Sequence, residues 1–109
     1  PEMCEAWDVA AAASSANEPV VSDTPTLILA GEFDPSTPPQ WGRRLLASMP
    51  KAYFVLMPGL SHGASFNACG GRMAFDFINN PTAPPTLTCV WKLAGADFSA
   101  SATLVVDYQ

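Results

Sequence analysis

One histidine, five basic residues and three cysteines are all that 109 residues offer. Each scarcity excludes something. Ten acidic residues against five basic ones leave a net charge of −5, which argues against nucleic acid and anionic membrane surfaces as partners. The basic residues are also scattered, apart from Arg43-Arg44. No apolar run approaches the roughly 20 residues that a membrane-spanning helix needs. A lone histidine with Cys4, Cys69 and Cys89 fits no zinc spacing, so neither metal nor cofactor is expected. Gly70-Gly71 lacks the lysine and the strand context of a phosphate-cradling loop. Pro1-Glu2-Met3-Cys4 shows no basic region followed by an apolar core, so no signal peptide is read there. In a chain cut from a longer precursor, that leaves the parent's destination open.

What is present suits a small α/β domain, or a piece of a larger one. Hydrophobic residues make up 49% of the chain, too many for a disordered or low-complexity segment. Residues 1–24 read as an irregular approach, including a weak alanine-serine stretch at 10–16. Two continuous apolar runs follow, Thr26 to Ala30 and Ala52 to Met57. Runs without alternation suit parallel strands covered by helices on both faces. A helix is expected from Pro39 to Ser48, with Thr37 as N-cap, prolines at its entry and Pro50 as its stop. Trp41, Leu45 and Met49 repeat every four residues and predict one buried face. A second helix is expected over roughly Ala68 to Asn79, with Cys69, Met73 and Phe77 on one stripe. Gly70 and Gly71 weaken its first turn by up to about 1 kcal/mol each. Residues 91–109 read as an extension with a β-like end at Thr103 to Val106. Two strands alone make a marginal sheet with unpaired edges, so the sequence expects neighbours that it does not carry.

Each apolar run ends in a loop that carries chemistry. Gly31-Glu32-Phe33-Asp34 follows the first, and Pro58-Gly59-Leu60-Ser61-His62-Gly63 follows the second. A carboxylate and the only histidine thus leave the carboxyl ends of two neighbouring parallel strands, where open α/β sheets place their sites. A histidine oriented by a carboxylate is two-thirds of a Ser-His-Asp triad. The bland alternatives are that Asp34 is a turn residue before proline and that His62 is an ordinary surface histidine.

Gly31 to Gly42 resembles the acid-bearing segment of α/β-hydrolases of the tripeptidyl-aminopeptidase and proline-iminopeptidase type, and Pro58 to Gly63 resembles their histidine loop. Cys4 with Trp7, Cys69, and Pro84 to Cys89 fall where secreted members place cysteines. The resemblance covers about residues 1 to 90 and matches only the C-terminal (TAP-like) part of such an enzyme. It implies the last two parallel strands of the fold, with flanking helices and a disulfide-tied tail, and assigns residues 25–90 to the TAP-like portion. It also implies Asp34 as triad acid and His62 as general base. The parent would be a serine hydrolase, an exopeptidase acting at peptide N-termini on a peptide, amide or ester substrate. Its nucleophile would lie in an N-terminal hydrolase segment missing from this chain, which alone would be inactive. Ser61 departs from the pattern, since the family usually has a small residue such as glycine there.

Gly59-Leu60-Ser61-His62-Gly63 also fits the G-x-S-x-G nucleophile elbow. Three features count against it. Ser61 follows the acid in chain order, no histidine lies downstream, and helical character begins only near Phe66. Glu32 is expected to point away from the site, toward solvent or a helix. Trp41, Phe66 and Trp91 are expected to pack. Cys69 and Cys89 are expected to form a disulfide, because Asn79-Asn80-Pro81 and Pro84-Pro85 bend the chain back between them. Two buried thiols are the alternative. Cys4 is then left without a partner in the chain. Cysteine usage favours an extracytoplasmic or secreted setting. The competing functional class is a stand-alone, non-catalytic binding or complementation module of the same fold.

Overall fold

A computed structural model describes residues 5–7, 10–93 and 95. Cys4 and the β-like ending at 103–106 lie outside the described residues. Two parallel strands, β1 (Thr26–Gly31) and β2 (Ala52–Met57), pair in register from Thr26 opposite Ala52 to Gly31 opposite Met57. Both strands therefore end at the same level, and the two loops after them emerge side by side. The connection between the strands contains helix α1 (Pro39–Leu45), and helix α2 (Ala68–Asn79) follows β2. Short 3₁₀ turns occupy Ser14–Asn17, Ala64–Phe66 and Val90–Lys92.

The period of two along each strand divides the side chains between two faces. Val55 and Met57 turn toward α2 and form the core with Ala64, Cys69, Met73 and Val90; Leu27 and Leu29 pack against it. Tyr53 on the same face meets Phe77 edge to face, with centroids 6.0 Å apart. The expected α2 stripe is present: Cys69, Met73 and Phe77 are all buried. Asn67 caps this helix by accepting the Cys69 N–H at 2.9 Å, which satisfies one of the free donors of its first turn. Gly70 has a packing reason as well, since a Cβ there would run into the Ala64 carbonyl. The Cys69–Cys89 disulfide, with Cα atoms 5.7 Å apart, ties the tail to α2.

Helix α1 lies on the other face and departs from expectation in three ways. It ends at Leu45 because its last turn tightens, with Leu46, Ala47 and Ser48 N–H groups reaching back three residues to Arg43, Arg44 and Leu45 carbonyls. Its contact with the sheet is centred on Gly42, where a Cβ would stand 2.9 Å from Ile28 and 3.1 Å from Phe54. The Arg43 guanidinium stacks over Phe54 at 4.6 Å. The Trp41–Leu45–Met49 face is turned elsewhere, and Trp41 and Leu45 are exposed. Finally, Pro38 takes the N-cap position without a side-chain cap, while Thr37 is engaged with Asp34. Phe66 and Trp91 are likewise exposed, so the expected packing role of the three aromatics does not hold within this chain.

Among the described residues, no helix is long and apolar enough to cross a membrane.

Candidate active site

Backbone hydrogen bonds stitch together the two loops beyond the strand ends. The Glu32 N–H donates to the Met57 carbonyl at 3.1 Å and the Phe33 N–H to the Leu60 carbonyl at 2.9 Å. The Glu32 carboxylate accepts the Gly59 N–H at 2.9 Å, in a turn that Gly59 enters with a φ of 70°. Such a φ is available to glycine at little cost. The Ser61 hydroxyl is directed at the Phe33 carbonyl, 3.4 Å away. Gly31 makes this approach possible, because a Cβ there would collide with the Ser61 and Leu60 carbonyls.

Asp34 and His62 meet at the centre of this seam. The His62 Nδ1 lies 3.0 Å from Asp34 Oδ2 and 3.1 Å from Oδ1. The two environments are opposite. The Asp34 side chain is 5% exposed, and that of His62 is 61% exposed. Asp34 turns inward because its own loop wraps it. Its Oδ1 accepts the N–H groups of Ser36 and Thr37, each at 2.9 Å, and its Oδ2 accepts the Thr37 hydroxyl at 2.6 Å. These bonds favour the charged form. The Thr37 hydroxyl and backbone N–H, with smaller contributions from Ser36 and His62, hold the Asp34 carboxyl well below its ordinary 3.8, against the opposing effect of burial. An ionised carboxylate only accepts hydrogen bonds. The proton of neutral His62 is therefore assigned to Nδ1, which leaves Nε2 as the acceptor.

Asp34 and His62 are thus brought together as the sequence suggested. Ser61 sits next to His62 in the chain, but its hydroxyl faces the Phe33 carbonyl. Two participants escaped sequence reasoning. Thr37 carried a signal that was open to two readings: an aspartate followed three residues later by threonine suits both a wrapped carboxylate and a helix cap. Glu32 carried no local signal, because its partner Gly59 lies 27 residues away. Among the described residues, no group of three or more His, Cys, Asp or Glu side chains is placed to hold a metal ion.

Two loops fixed at the ends of parallel strands, with a buried anion holding an exposed imidazole by one nitrogen, can take up and return a proton at the other nitrogen. A family model described as TAP-like protein matches residues 1–89. Comparison with curated proteins and with solved structures returned no match.

Proposed function

Because the chain belongs to the TAP-like protein family and forms the C-terminal part of an α/β-hydrolase, we propose that it supplies the acid and base of a serine hydrolase triad. The serine would come from a segment outside these 109 residues. One observation carries the reading: a buried Asp34 carboxyl holds the Nδ1 of an exposed His62 at 3.0 Å.

In this mechanism the serine Oγ attacks the scissile carbonyl while Nε2 of His62 takes its proton. The Oγ–C bond forms, and the charge collects on the carbonyl oxygen. The imidazolium then delivers the same proton to the leaving amine as the C–N bond breaks. Water repeats the sequence on the acyl-enzyme and frees the serine. Asp34 stays ionised throughout, orienting His62 and balancing the imidazolium charge. A peptide N-terminus is the substrate end we favour, by likeness to the aminopeptidase relatives that the loops resemble.

The sheet supports a partner segment. After Thr26 β1 is apolar, yet among the described residues it pairs on one edge only. A groove of about 470 Å³ runs along it, lined by Leu27, Leu29, Ala74, Phe77 and Ile78 among others. A further strand, with the elements that carry the nucleophile, would cover these groups. The Cys69–Cys89 disulfide suits an oxidising setting, which supports an extracytoplasmic site of action.

A fluorophosphonate, which phosphonylates activated serines, tests the division of labour. Intact mass of the treated 109-residue chain is expected to show no adduct. An adduct mapped to Ser61 would overturn the proposal and make the chain a self-sufficient hydrolase.

A further inference from the structure

We infer that Thr37 is the positioning residue of the acid–base pair, its hydroxyl bridging Asp34 and His62 so that the imidazole proton is held on Nδ1. The inference rests on the catalytic reading above. It concerns a residue that the strand-end motif does not single out.

The geometry is specific. The Thr37 hydroxyl has one proton, which it gives to Asp34 Oδ2 at 2.6 Å. With that proton given away, Thr37 Oγ1 can only accept from His62 Nδ1, 3.3 Å away. Nδ1 therefore looks onto three oxygens, Asp34 Oδ1 at 3.1 Å, Oδ2 at 3.0 Å and Thr37 Oγ1 at 3.3 Å. The Thr37 proton is already committed. A lone pair on Nδ1 would meet only other lone pairs, so the Nε2–H tautomer is disfavoured. That tautomer could not accept a proton from serine.

Thr37 is also well anchored. Its N–H donates to Asp34 Oδ1 at 2.9 Å. Pro38 follows it and restricts its backbone to extended conformations. Branching at Cβ limits its χ1. The hydroxyl is thus delivered by a stiff element, and the same residue binds both carboxylate oxygens. This fixes the carboxylate plane, which in turn fixes the imidazole.

His62 is the chain's only histidine, so its ring nitrogens can be read by two-bond ¹H–¹⁵N NMR without assignment. The spectra would be taken on the full 109-residue chain over a rising pH series and read where the ring shifts stop changing. Wild type should show the Nδ1–H pattern. Thr37→Val, which keeps the shape, removes the hydroxyl and frees the carboxylate to turn against Nδ1, should lower the Nδ1–H to Nε2–H ratio several-fold, the size of one net hydrogen bond. Thr37→Ser should restore the wild-type pattern. A Thr37→Val spectrum identical to wild type would overturn the inference, as would a Thr37→Ser spectrum matching Thr37→Val. Either result leaves the catalytic reading intact. If instead full turnover survived loss of His62, the catalytic reading would fail while the tautomer shifts remained.

Discussion

At the scale of single residues, the site works by contrast between two neighbours. Asp34 is wrapped by its own loop and His62 is open to solvent. The wrapping has a measurable consequence. Carboxyl ¹³C NMR should place the Asp34 midpoint below its ordinary 3.8; a midpoint at or above that value would mean the Thr37 and Ser36 bonds are not formed. The sign for stability follows. A carboxyl held low in the folded state contributes stability that is complete above pH 3.8 and lost as pH falls through the lower folded value. Asp34 and His62 were legible in the sequence because each closes an apolar run. Glu32 and Thr37 were not. Glu32 acts on a backbone amide far along the chain, a contact that leaves no local pattern. Thr37 looked like a helix cap because helix caps and wrapped carboxylates draw on the same residue types.

At the scale of elements, both strands and both helices were readable, and what was missed is the end, the cap and the buried face of the first helix. Continuous apolar runs marked β1 and β2, and the spacing of Cys69, Met73 and Phe77 marked the buried stripe of α2. Helix α1 misled because its contact with the sheet is made by Gly42 and Arg43, neither of which looks like a core residue. The large side chains on its other face drew the eye instead. Two predictions belong at this scale. Removing the disulfide that joins α2 to the tail, by Cys69→Ser with Cys89→Ser, should cost about 3 kcal/mol for a loop of this size. A lower urea midpoint at unchanged slope would register it, and an unchanged midpoint would count against a stabilising tail. Gly31→Ala should displace the histidine loop, since the new Cβ meets backbone carbonyls of Leu60 and Ser61. A shift of about 1 Å at a reacting group is worth about a hundredfold in rate. The complete hydrolase should therefore lose kcat on that order; wild-type kcat would show that the seam tolerates movement.

At the scale of the whole molecule, the described surface suits the partner segment proposed above. Phe66 is 94% exposed and Ile78 77% exposed, and among the described residues one strand edge of β1 is unpaired beside an apolar groove. A long apolar edge is a liability that native proteins cover. The family match to residues 1–89 is consistent with an α/β-hydrolase whose remaining strands provide that cover and bring the nucleophile to His62 Nε2. On the proposed reading, the chain alone would hold a base without a serine to activate. The most direct measurement is turnover of a chromogenic peptide anilide by the complete hydrolase that contains this chain, comparing wild type with His62→Ala. The account predicts a loss in kcat of about six orders of magnitude with little change in KM. A variant within tenfold of wild type would contradict it.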